Sequence, residues 1–129
     1  MSINMNFTIE ADTDRRLIRE KIYGIWKENT AKLYHDDFVL EAQPLIKGNW
    51  AKLIDLRNWR SSYPEVIAIV GEHLRWCREN GMVMAANVID NPTTLGQLKR
   101  MFAIGGTEEM SMIFQTVDGA DKYLGKSGF

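Results

Sequence analysis

Residues 51–70 read AKLIDLRNWRSSYPEVIAIV, an apolar run that passes through a polar stretch into an apolar stripe of different period. The run at 51–56 is short and bounded by polar residues, the pattern of a strand buried in the middle of a sheet. Val66, Val70, Leu74 and Cys77, with Ile67 beside them, then recur at helical spacing, and Asn80 and Gly81 supply the expected left-handed stop. A buried strand feeding directly into a helix is half of a β-α-β crossover, so this stretch points to an α/β protein. Between the two elements, Ser62-Tyr63-Pro64-Glu65 has the S-x-x-E form of a capping box, with a proline in the first turn where its missing N–H costs nothing.

Working outward, 82–89 (MVMAANVI) is a second buried strand and 109–117 (EMSMIFQTV) a further strand-type run. Between them, 90–106 (DNPTTLGQLKRMFAIGG) places a proline just inside a helix start and glycines at its end, with Leu95, Leu98 and Phe102 inward. The closing 118–128 (DGADKYLGKSG) reads as a short helix with Asp118 as N-cap and Gly125 as stop. Upstream, Leu33, Tyr34, Phe38, Ala42 and Leu45 or Ile46 fall at helical spacing, a helix that starts near Asn29 or Thr30 with Pro44 marking its end; Lys47 to Trp50 form a loop. At the beginning, Ile3, Met5, Phe7 and Ile9 alternate with polar residues, a turn follows at 11–14, and 16–26 resumes a strand pattern, so the two runs read as a hairpin. Its Arg15, Arg16, Arg19 and Lys21, set against Asp12, Asp14 and Glu20, read as a solvated, charge-paired face.

The order is therefore β-β-α-β-α-β-α-β-α. It implies a mixed, mostly parallel sheet of about four or five strands, with about four helices whose crossovers cover both faces. A chain of 129 residues suits a single domain spanning 1–129. With 16 basic and 17 acidic residues it lacks the basic surplus of a general nucleic-acid binder. No window is long and apolar enough to span a bilayer, and the first residues have no signal-peptide pattern. The lone cysteine, Cys77, suits a reducing compartment, so a cytoplasmic protein is expected.

Few residues carry recognisable chemistry. No G-x-S-x-G elbow is present, and the only histidines, His35 and His73, read as boundary or solvated residues. His35, Asp36 and Asp37 are adjacent on a helix, about 100° apart, and so do not converge on one metal ion. Cys77 lies on the core stripe and reads as an inert buried thiol. No cofactor, metal or catalytic residue is expected. The four tryptophans are better candidates for contact. Trp50 and Trp59 bracket the end of the strand at 51–56, at the carboxyl edge where partners of open α/β sheets dock. Trp76 and Ile69, seven apart on the helix face opposite the core stripe, form an apolar patch suited to a homodimer or another protein.

The segments YGIW (23–26), ENTAKLY (28–34), AKLIDLRNW (51–59), PEVIAIVGEHLRWCRENG (64–81), AANVID (85–90) and FQTVDGADKYL (114–124) together resemble the SpoIIAA-like branch of the STAS-domain superfamily, a bacterial branch, over essentially the whole chain. The resemblance implies a mixed sheet with helices around it and a module that binds protein partners without catalysing a reaction. In the anti-sigma-factor antagonists of that superfamily, a serine in an Asp-Ser-[Ser/Thr]-Gly stretch after the central strand is phosphorylated. Here Ser61 and Ser62 stand at that place, but Arg60 precedes them where aspartate belongs, and Tyr63 and Pro64 follow where glycine belongs.

Three functions follow as expectations. The first is a protein-interaction module that uses Trp50, Trp59, Tyr63, Ile69 and Trp76. The second is a carrier of an apolar small ligand or lipid, in a pocket lined by Trp26, Trp59, Met82, Met84 and Met101; the seven methionines motivate it. The third is a phospho-regulated antagonist switched at Ser61 or Ser62.

Overall fold

The strand and helix of the quoted stretch are β4 (Trp50–Trp59) and α2 (Pro64–Glu79). A computed structural model describes residues 1–60 and 63–129; Ser61 and Ser62, with the capping and phosphorylation readings that fall on them, lie outside the described residues. Before β4 come β1 (Ser2–Ile3), β2 (Phe7–Asp12), β3 (Leu17–Gly24) and α1 (Glu28–Ala42). After α2 come β5 (Met82–Val88), α3 (Pro92–Gly105), a 3-10 turn (Glu108–Met110), β6 (Ser111–Phe114) and α4 (Val117–Lys126). No helix among the described residues is long and apolar enough to cross a membrane.

The fold is α/β, with one mixed six-stranded sheet in the order β1-β2-β3-β4-β5-β6. β1, β2 and β3 pair antiparallel; β3 to β6 pair parallel. The expected count of four or five strands is too low, because the opening apolar alternation does not run as one strand. Asn4 Oδ1 accepts from the N–H groups of Asn6 (2.7 Å) and Phe7 (2.9 Å), which turns the chain and splits the run into β1 and β2. Phe7 and Ile9 are buried, while Ile3 and Met5 lie outside.

The crossovers do not cover both faces. Because the parallel strands follow one another without a reversal, right-handed connections put α1, α2 and α3 on the same side. Tyr34 and Phe38 of α1, Val66 and Leu74 of α2, and Leu98 and Phe102 of α3 all join one core cluster with Ile18, Trp50 and Ile54. Only α4, through Ala120 and Leu124, packs on the other face, against Leu17, Leu53 and Val88.

Local chemistry sets several ends. Tyr63 is the N-cap of α2 and gives no side-chain cap bond, and Pro64 occupies the first turn as expected. Asn91 caps α3 by accepting from Thr94 N at 2.8 Å, and Gly106 ends it at φ +69°. In α4 the cap is Thr116, accepting from Gly119 N at 3.0 Å, rather than Asp118; the helix also passes Gly125 to reach Lys126. Asp118 instead pairs with Lys122 one turn on.

Candidate functional site

α1 and α2 follow adjacent parallel strands, lie side by side on one face of the sheet, and leave an open groove of about 660 Å³ between them. α1 contributes Lys32, His35 and Asp36. α2 contributes Ala68, Ile69, Glu72, His73, Arg75, Trp76 and Glu79. From residue 68 to 79 the α2 wall is about 16 Å long at 1.5 Å per helical residue. Ala68, Ile69 and Trp76 give it an apolar lining. The indole of Trp76 meets the ring of His35 edge to face, centroids 5.9 Å apart.

The floor is a pair of imidazoles. His35 Nδ1 lies 2.9 Å from His73 Nδ1, and the other nitrogen of His73, Nε2, lies 3.6 Å from Cys77 Sγ. A neutral imidazole has one N–H and one lone pair, so whichever tautomer is present, His73 donates on one side and accepts on the other. His73 is 1% exposed, which corrects its reading as a boundary or solvated residue. Burial, then the nearby charge of Lys52, then His35, hold its pKa well below the ordinary histidine value, so it stays neutral. Its ring packs against Tyr34 and Phe38, centroids 4.8 and 4.6 Å away.

Beneath it lies a buried polar chain that the sequence reading missed. Tyr34 Oη donates a hydrogen bond to Glu20 Oε1, and Lys52 Nζ stands 3.1 Å from Glu20 Oε2. The lysine contact is ionic and lacks the angles of a hydrogen bond, which leaves Oε2 without a hydrogen-bond partner. Burial, and then the charge and hydrogen bond of Glu20, raise the Tyr34 hydroxyl well above the ordinary tyrosine value. Glu20 therefore does not sit on the solvated hairpin face. The Arg15 and Arg19 guanidinium groups pair instead with Asp121 of α4, at 2.8 and 3.0 Å. The available signal was period two: Glu20 falls in register with Ile18 and Ile22, and Lys52 with Trp50 and Ile54, which places both on the buried face of their strands.

The expected contact residues separate. Ile69 and Trp76 both line the groove, though on the flank of α2 and half-buried, not opposite its core stripe. Trp50 and Trp59 are fully buried and stand at opposite ends of the ten-residue β4, so they form no contact surface. Trp50 opens the strand, not a loop, and its Nε1 donates to Asn80 O at 2.8 Å. The parallel strand order never reverses, so among the described residues the sheet has no topological switch point at its carboxyl edge. Tyr63, 41% exposed, lines a different depression of about 500 Å³ with Ile25, Arg60 and Asn91.

The apolar ligand pocket takes another form. Trp26, Trp59 and Met101 do share a cavity, but its volume is about 20 Å³, room for one water and no acyl chain. Met82 and Met84 do not line it. A register shift between β4 and β5 pairs Trp50 with Met82 and then Ala51 with Met84, which turns these two methionines to opposite faces of the sheet. Among the described residues no group of three or more His, Cys, Asp or Glu is placed to hold a metal ion. Asp37 is engaged elsewhere, accepting from Ser2 Oγ at 2.9 Å. Cys77 is fully buried; burial above all pushes its thiol up to about 12, so it stays protonated and poorly nucleophilic. The chain matches no known family model and no curated protein.

Proposed function

We propose that the protein is a non-enzymatic interaction module, of the STAS-like kind its segments resemble, that uses the α1–α2 groove as its contact surface. The observation that carries this reading is the groove itself: Ile69 and Trp76, expected as contacts, come together there with His35 and Asp36 in an open, apolar-walled channel. Support also comes from how the chemically capable groups are committed. His73 is neutral and bonded at both nitrogens, and Cys77 is sealed beneath it as a protonated thiol. Groups held in this way stabilise a surface more readily than they transform a substrate.

The test is affinity capture from cell extract with wild type and Trp76→Ala, with light scattering on both proteins and circular dichroism to confirm folding. The reading expects a partner, or a second copy, whose association drops at least about tenfold when the indole is removed, as for an interface hot spot. Capture and mass unchanged by Trp76→Ala would refute it.

A further inference from the structure

Resting on that reading, we propose that the groove receives an amphipathic α-helix of a partner protein whose apolar stripe is flanked by Lys or Arg. Shape argues for a helix. The walls are helices whose main-chain groups are already bonded, so an extended peptide would find no sheet edge to complete, whereas a helix satisfies its own backbone. About 16 Å of wall matches three turns. An open channel would also leave much of a small molecule in water, unlike the enclosure such ligands use.

Charge argues for basic flanks. Lys32 is engaged by Glu28 at 3.0 Å, and Arg75 is turned to Ile104 O at 2.5 Å and Glu72 at 3.4 Å. Asp36 and Glu79 have no ion pair among the described residues and stand at the groove on opposite walls. α1 as a whole carries Glu28, Asp36, Asp37 and Glu41 against Lys32. Glu41 pairs with the Met1 amine at 2.9 Å and Asp37 accepts from Ser2 Oγ, which leaves Asp36 as the unpaired carboxylate on this wall among the described residues. On its outer shoulder Leu33 and Leu40, 48% and 72% exposed, flank Asp36 at helical spacing and widen the apolar surface beside the carboxylate. The same acidity disfavours an anionic lipid surface.

The test uses the full chain and two synthetic helical peptides of about 14 residues, with leucines at i, i+3, i+4 and i+7, one flanked by lysines and the other by glutamates. Titrations are followed by calorimetry and by amide and indole NMR shifts. The lysine peptide is expected to bind at least about tenfold more tightly, to weaken as salt rises, and to shift Ile69, Trp76 and Asp36. Asp36→Lys with Glu79→Lys, both at exposed positions, should reverse the preference. Equal binding of the two peptides, no binding of either, or shifts centred away from the groove would overturn the proposal, as would sedimentation with phosphatidylserine vesicles. If Trp76-dependent partner capture persists while the lysine peptide fails, the basic-helix proposal falls and the interaction reading stands. If capture is indifferent to Trp76, the interaction reading falls first.

Discussion

Lys52 of β4 and Glu20 of β3 form an ion pair, 3.1 Å between Nζ and Oε2, with both side chains sealed from solvent under α1. Removing one partner leaves a buried charge alone, which costs about 3–5 kcal/mol, whereas neutralising both together is close to neutral. Lys52→Met is therefore expected to lower stability by about that amount in urea unfolding. Glu20→Gln with Lys52→Met should recover most of it, since glutamine can still accept from Tyr34 Oη. A double variant no more stable than the single one would show that the pair is not the relevant interaction.

Gly71 of α2 and Gly105 of α3 let these helices approach closely. A Cβ on Gly71 would lie 2.6 Å from Cβ of Ile104, and one on Gly105 would lie 2.8 Å from the Gly71 carbonyl oxygen. Gly71→Ala should cost about 1–3 kcal/mol by overpacking. Gly96, exposed in the middle of α3 with nothing near its Cβ position, is the control: Gly96→Ala should gain about 0.5–1 kcal/mol. Equal effects at the two positions would contradict the close approach.

Cys77 should resist thiol reagents in the folded protein. Its thiol is pushed up to about 12 by burial, and no surface is open to it. Against an ordinary thiol near 8.5, labelling at neutral pH should be at least about a thousandfold slower than in the unfolded chain. The rate should follow the unfolding equilibrium in added urea. Rapid labelling without unfolding would mean that the groove floor opens.

His73 should make stability depend on pH in one direction. Its folded-state pKa lies below the unfolded value of about 6.5, so on acidification the unfolded chain takes up the proton first. The contribution is complete above about pH 6.5 and is lost as pH falls toward the folded-state value, at up to about 1.4 kcal/mol per unit. The neighbouring Lys52, His35, Tyr34 and Cys77 all face this ring, so the measurement compares wild type with His73→Leu. Their difference in urea midpoint should shift against wild type between about pH 7.5 and 5.5. A constant difference would place the proton elsewhere.

Much of the architecture is readable from spacing. A strand and a helix each bury one side, at periods of two and 3.6, so β4, α2, β5 and α3 announce themselves through their apolar residues. Pro64, Pro92 and Gly106 mark helix ends because their backbone preferences are local. Of the candidate site, Ile69 and Trp76 were legible as the two large apolar residues left off the α2 core stripe. The burial of Trp50 and Trp59 was not legible, because an indole suits a core and a contact surface equally well.

By itself, then, the sequence determined the α/β class and the kinds and order of the elements from β3 onward, since each rests on periodicity within a few residues; the split of the opening run into β1 and β2 it did not give. The tertiary structure alone decided that three crossover helices share one face, through strand order and the handedness of each connection. It also decided the partnerships that define the site: His35 with His73, 38 residues away, and Glu20 with Lys52 on the neighbouring strand. Such pairs form because sheet register and helix packing bring distant faces together, and no local spacing encodes where those faces will meet.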